Sequence, residues 1–176
     1  MNDEKRPDIS SCAAAVQHIF DASGKRSLIV TGERQSGKTT IIQTITDEKT
    51  LPGFCTHMRQ DAVRTVWLTE NLTGETVQIG RFEQGVMQPV YAGFETLGMR
   101  ALYAAQQAES AFVLLDEIGF LECNCPQFCT EIIRLFDKKR LIAAVRKQAL
   151  PFLDSLKARS DVCCVNLDLL YETMRL

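Results

Sequence analysis

With 176 residues and a net charge of −2, the chain has room for one central sheet covered by helices on both faces, and it offers no general attraction to nucleic acid or to an anionic membrane. No apolar run approaches membrane-spanning length, and Met1 to Pro7 is charged with no apolar signal core, so the chain is expected in the cytoplasm, without a membrane partner. Its seven cysteines are then expected as reduced thiols packed like small apolar groups.

Residues 1–8 are expected to be unstructured. Ile9, Ala13, Val16 and Phe20 share one helical face and predict an amphipathic helix of about three turns, ended by Ser23-Gly24-Lys25. Residues 1–24 are therefore read as a helical extension that packs on a sheet edge or, as the sharper alternative, serves as a protein-partner arm; residues 25–176 form the main domain. His18 is assigned no role. Ser27 to Thr31 reads as a buried parallel strand, and Thr40 to Ile45 carries isoleucines at helical spacing.

Between that strand and helix stands Gly32-Glu33-Arg34-Gln35-Ser36-Gly37-Lys38-Thr39, which fits the phosphate-loop pattern G-x-x-x-x-G-K-[ST] in its required context. The two glycines let the backbone approach a polyphosphate closely. Successive N–H groups and the helix N-terminus then face the phosphates. Lys38 would reach the β- and γ-phosphates, Thr39 would ligate Mg²⁺, and Thr40 would hydrogen-bond the α-phosphate.

The helix is expected to end near Asp47–Thr50, with a turn at Pro52-Gly53. Extended structure begins at Phe54, Val63 to Thr69 alternates as a strand, Asn71 to Gly74 turns, and Glu75 to Ile79 forms a second strand. This predicts a β-hairpin inserted between two α/β units. Gly80 to Pro89 shows no clear periodicity and is expected to be a loop. Phe94, Leu97, Ala101, Ala105 and Ala108 mark a helix interrupted by Gly98.

Ala111 to Leu115 is a buried strand that ends in Asp116 and Glu117, where open α/β sheets place their ligands. Asp116 suits the acid that supports magnesium, through water or through Thr39, and Glu117 suits a base that orients the attacking water. A helix from Pro126 follows, then a strand from Leu141 to Val145 that carries Arg146 and Lys147 to the same rim. A short helix from Pro151, a strand from Val162 to Val165 and a terminal helix capped by Asp168 complete the chain. The alternation predicts an α/β, three-layer P-loop NTPase fold, its sheet mostly parallel with the inserted hairpin. Cys123, Cys125 and Cys129 form a C-x-C-x-x-x-C run whose spacing favours inert or redox-sensitive thiols over a metal site.

Gly53-Phe54-Cys55-Thr56-His57-Met58-Arg59 resembles the G-F-x-T-x-x-[RV] segment of the small THEP-type nucleoside-triphosphatases. Asp116-Glu117-Ile118-Gly119, followed by Glu122, resembles that family's D-E-I-G strand end. The order of elements agrees over roughly residues 26–167. The resemblance implies Mg²⁺-dependent hydrolysis of ATP, GTP and other nucleoside triphosphates to the diphosphate and phosphate, with weak base selectivity and slow turnover. Three features differ from the family pattern: Phe120 replaces a basic residue, Asn166-Leu167 lacks an N-R pair, and the N-terminal helix is additional.

The mechanism expected is in-line attack of water on the γ-phosphorus, with Lys38, Mg²⁺ and the loop amides neutralising charge and Glu117 holding the water. One arginine should face the transferred group. Arg59 and Arg146 are the candidates, with Arg34 as a third. The alternatives are a nucleoside or nucleotide kinase, in which Glu117 would activate an acceptor hydroxyl and the Gly80–Pro89 segment would help form the acceptor pocket, and a nucleotide-dependent switch or assembly protein. A monomer is expected, and no basic stripe with interleaved aromatics points to nucleic acid.

Overall fold

A computed structural model describes residues 8–175; the expectation for residues 1–7 lies outside the described residues. Asp8 is not unstructured: its side chain accepts the Ser11 N–H and caps helix α1 (Ile9–Ser23). Strand β1 (Ser27–Gly32) and helix α2 (Lys38–Ile45) flank the glycine loop. Helix α2 stops short of its expected end because Asp47 and Glu48 take positive φ angles that no helix continues. Strands β2 (Gly53–Gln60), β3 (Arg64–Glu70), β4 (Thr76–Glu83) and β5 (Val86–Pro89) follow.

A single helical ridge comes next: α3 (Tyr91–Gly93), a π-helical turn (Phe94–Gly98) and α4 (Met99–Gln107). Gly98 ends the π turn where the Phe128 ring packs. The chain closes with β6 (Val113–Ile118), α5 (Phe120–Cys123), α6 (Pro126–Lys138), β7 (Leu141–Arg146), α7 (Pro151–Lys157), β8 (Val162–Asn166) and α8 (Leu167–Thr173).

Among the described residues, the eight strands form one sheet in the order β5-β4-β3-β2-β6-β7-β1-β8. The pairs from β2 through β6, β7 and β1 to β8 are parallel, and those from β2 to β5 are antiparallel. Strand β2 belongs to both regions. Its first residues pair with β6, and the rest runs beyond the parallel rim to pair with β3.

Side chains alternate across each buried strand, so both faces of the sheet are apolar. Leu28, Val30, Ile142 and Ala144 pack with α1, α2 and α8. Ile29, Leu115, Ala143 and Val145 pack on the other side with α4, α6 and α7. This is the expected three-layer, mostly parallel architecture. The apolar face of α1 is used within the chain, since Cys12, Ala13, Val16 and Phe20 are buried in the first of these cores.

The insertion is larger than one hairpin. Gly80 to Pro89 is not a loop: β4 continues to Glu83, and Gln84-Gly85 makes a tight turn into β5 with both φ angles positive. A glutamine in the left-handed region gives little sequence signal for such a turn. The last helix also starts differently from expectation. Asn166 is its cap, accepting the Asp168 N–H at 3.0 Å, and the Asp168 carboxylate is left free for the site.

Candidate active site

The order β6-β7-β1 sets three strand ends side by side. Gly32 pairs with Arg146, and Asp116 pairs with Ala144. The glycine loop, the two acids and the basic strand end therefore share one rim, where a doubly wound sheet binds its ligand.

Lys38 is buried at the start of α2, after Gly37 with its φ of 93°. Its Nζ donates to Gly32 O at 3.2 Å and Glu33 O at 3.0 Å and lies 3.5 Å from Glu117 Oε2. The Thr39 hydroxyl donates to Asp116 Oδ1 at 3.2 Å. Burial pushes the Asp116 carboxyl up to about 6; the Thr39 hydrogen bond opposes this, the Glu117 charge adds to it, and the Lys38 charge opposes it. The Ser36 hydroxyl is buried at the loop and has no hydrogen-bond partner among the described residues. Thr40 lies exposed in the first turn of α2, and Gln35 takes a positive φ in the loop.

A register shift in β6 between Asp116 and Ile118 makes Glu117 the extra residue of a bulge. In a regular strand, successive side chains point to opposite faces. Here the bulge lets Asp116 hold Thr39 while its neighbour Glu117 turns to Lys38 and Arg146. The Glu117 N–H donates to Thr56 Oγ1 at 3.2 Å. Thr56, from the G-F-x-T segment, thus positions the acidic pair, a role that its place in the sequence did not reveal.

The cleft encloses about 240 Å³ and is lined by Gly32, Glu33, Arg34, Lys38, Glu117, Arg146, Lys147 and Gln148. Arg59 is not brought into this lining. It lies on β2 with its guanidinium 4.3 Å over the Trp67 ring and its Nε donating to His57 Nε2 at 3.3 Å. Arg34, the third candidate, does line the cleft.

Helix α8 buttresses the loop. Asp168 accepts the Glu33 N–H at 3.2 Å and pairs with Lys147 at 2.9 Å, and Lys147 also reaches Glu33 at 3.2 Å. The Tyr171 hydroxyl donates to Ser36 O at 2.6 Å. No sequence motif marked Asp168 or Tyr171 for this work; both meet the loop only because β8 lies beside β1.

Behind the acids, Glu122 is buried, accepts the Gly119 N–H at 2.7 Å and closes the first turn of α5. Burial pushes its carboxyl up to about 7, against the backbone hydrogen bonds and the Arg146 charge that favour ionisation. Between its ordinary 4.5 and about 7 the folded chain therefore holds a proton that the unfolded chain releases, and stability falls as pH rises through that window. Glu122→Gln keeps an acceptor for Gly119 and cannot ionise. Its stability relative to wild type should rise by as much as roughly 3 kcal/mol from below this window to above it, as read by urea unfolding on both sides. A difference that does not change with pH would refute this account.

The thiols of Cys123 and Cys129 donate to Gly119 O and Glu122 O, each at 3.2 Å. Burial pushes Cys125 up to about 11 and Cys129 up to about 12, so these groups are thiols at neutral pH. Among the described residues, no three His, Cys, Asp or Glu side chains are grouped to hold a metal ion.

A glycine loop opening a helix beside a parallel strand that ends in two acids defines a phosphate-loop nucleotide-binding protein of the α/β class. Comparison with known proteins narrows this class. A family model described as NTPase matches residues 27–171. The Nucleoside-triphosphatase THEP1 of Thermotoga sp. (strain RQ2) is 29% identical over 150 residues, covering 80% of this chain and 86% of that one. Its counterpart from Thermotoga petrophila is 27% identical over 150 residues, with 80% and 83% covered. The crystal structure of THEP1 from the hyperthermophile Aquifex aeolicus shares the fold, with a TM-score of 0.66 at 18% identity over 84% of this chain and 96% of that one. The chain belongs to the THEP-type NTPase family, a family of hydrolases. Among the described residues, no helix is long and apolar enough to cross a membrane.

Proposed function

We propose that this chain is a Mg²⁺-dependent nucleoside-triphosphatase of the cytoplasm that works as a monomer and converts ATP, GTP and other nucleoside triphosphates to the diphosphate and phosphate. The observation that carries this reading is the placement of Glu117 between Lys38 and Arg146, one residue beyond the acid that holds Thr39. An adjacent hydroxyl and carboxylate are hard oxygen donors of the kind Mg²⁺ takes, so Thr39 and Asp116 would hold the ion. Bound there, Mg²⁺ supplies charge neutralisation at the phosphate oxygens.

The protein's own part is positioning and electrostatics. The amides from Gly32 to Thr40 cradle the phosphates, with Glu33, Arg34, Gln35 and Ser36 forming the turn. Lys38 exchanges the carbonyls of Gly32 and Glu33 for β- and γ-phosphate oxygens. Glu117 accepts a hydrogen bond from water and aims it at the γ-phosphorus. The water oxygen bonds to phosphorus as the bridging oxygen leaves with the diphosphate. Arg146 stabilises charge on the transferred group. Arg146 is favoured over Arg59 because it already touches Glu117, whereas Arg59 stacks on Trp67. Residues 1–24 are proposed as an extension that supports this domain, consistent with the packing of α1 on α2.

Steady-state phosphate release from the four common ribonucleoside triphosphates, with Mg²⁺ and after chelation, tests the activity. On the same assay, Arg146→Ala should lower turnover by about a hundredfold or more, while Arg59→Ala should stay within about threefold of wild type. The opposite ranking would transfer the role to Arg59.

A further inference from the structure

Beside the triphosphate cleft lies a second cavity whose walls reach beyond the residues that hydrolysis uses. It encloses about 150 Å³ and opens to solvent. Arg34, Glu117 and Arg146 line both spaces. The remaining wall is mixed: Val66, Phe82 and Met87 from the antiparallel strands and Phe120 and Leu121 of α5 supply its apolar part, and Arg64, Thr56 and the buried Glu122 its polar part. Phe82 and Met87 belong to the segment that folds as the β4–β5 hairpin, so this extension builds the wall. A cavity of ~150 Å³ is large enough for one six-membered aromatic ring, and the apolar side chains offer it a face to lie on.

The charges around it have a pattern. Arg146 is paired with Glu117. Arg34 and Arg64 are exposed and, among the described residues, paired with no carboxylate. Arg34 Nη2 meets Met58 Sδ at 3.7 Å, and the Arg64 guanidinium lies 5.1 Å over the Phe82 ring. Two unmatched guanidiniums beside an apolar slot suit a ligand with a flat ring and a phosphate, which arginine binds with two parallel hydrogen bonds. Because Glu117 and Arg146 border both spaces, the phosphate of such a ligand and the γ-phosphate of a triphosphate would meet at one point.

We propose that this cavity is an acceptor site for a nucleoside monophosphate, preferring the single-ring pyrimidine bases, and that the protein transfers the γ-phosphoryl group to it. The proposal rests on the reading of the cleft as a triphosphate site. An oxygen of the acceptor phosphate forms the new bond to the γ-phosphorus. The bond from that phosphorus to the bridging oxygen breaks, and the electron pair leaves with the nucleoside diphosphate. The acceptor phosphate is close to dianionic at neutral pH, its second pKa being about 6, so no proton need be removed. Two nucleoside diphosphates result, and water is the acceptor when the cavity is empty.

The test incubates the protein with MgATP and, separately, CMP, UMP, AMP or GMP, following phosphate and the acceptor's diphosphate by ion-exchange chromatography. CDP and UDP should form in step with ATP loss while phosphate release falls. Arg64→Ala and Phe82→Ala should each raise the acceptor KM by about tenfold or more, with acceptor-free phosphate release unchanged. Phosphate release that continues with no acceptor diphosphate would overturn the proposal. So would transfer that both variants leave intact, or transfer confined to purine acceptors. If wild type consumes no ATP with or without acceptor, the reading of the cleft fails instead, and calorimetry with CMP alone decides the cavity. Binding weakened by Arg64→Ala supports the site, and absence of binding sinks it.

Discussion

Replacing Glu117 by glutamine is expected to slow triphosphate hydrolysis by about two to three orders of magnitude while nucleotide binding is retained or tightened. Glutamine matches the carboxylate in shape and keeps an oxygen that accepts a hydrogen bond, so water can still be held. It lacks the negative charge proposed to polarise that water as the bond to phosphorus forms. The effect on binding has the opposite sign. In the folded chain Glu117 is paired with both Lys38 and Arg146. Without that carboxylate the two cations have only the phosphates to neutralise, which favours the bound triphosphate. Single-turnover phosphate release and calorimetry with MgATP separate the two effects. Unchanged turnover would remove Glu117 from the chemistry, and weakened binding would mean that it serves to build the cleft.

Gly53→Ala is expected to cost more than about 4 kcal/mol of stability, a large share of the roughly 5–15 kcal/mol typical of a folded domain. A Cβ at this position would stand 2.0 Å from the Leu114 carbonyl oxygen, and the residue has a φ of +128°. Backbone cannot yield as a flexible side-chain end can, so β2 would have to leave β6. That separation also reaches the site, because β2 carries Thr56 to the Glu117 N–H. Gly24→Ala is the control: its φ is +62°, but a Cβ there meets nothing within 4 Å. It should cost only about 1 kcal/mol. Urea unfolding of both variants, with the yield of soluble protein for Gly53→Ala, checks the contrast. Similar losses at the two positions would show that dihedral preference, not the approach of Leu114, governs Gly53.

Much of the molecule was legible from local pattern. The isoleucines after the glycine loop, the apolar run before Asp116 and Glu117, and Pro126 and Pro151 at helix starts each report a segment's own periodicity or backbone restriction. Elements whose cause lies elsewhere were not legible. The turn at Gln84-Gly85 carries a residue seldom found at positive φ, so β4 and β5 read as irregular chain. Asp168 looked like a helix cap because a carboxylate before an apolar helix usually is one. Asn166 takes that place, and the Asp168 carboxylate goes to the loop instead.

The site divides in the same way. Lys38, Thr39, Asp116 and Glu117 stand out as candidates from spacing along the chain, since a phosphate loop and a strand ending in acids are each continuous segments. Their partners do not. Glu117 meets Arg146 because β6 lies beside β7, and the glycine loop meets Asp168 and Tyr171 because β1 lies beside β8. The second cavity exists because the β2–β5 extension stands over the rim. By itself the sequence determined the layered fold, the phosphate loop and its acids, because local backbone preference and hydrophobic period specify each of these one segment at a time. Only the tertiary structure decided which arginine reaches the acid, what braces the loop and which residues line the second cavity. Those depend on strand order and on contacts between residues far apart in the chain, which no local period encodes.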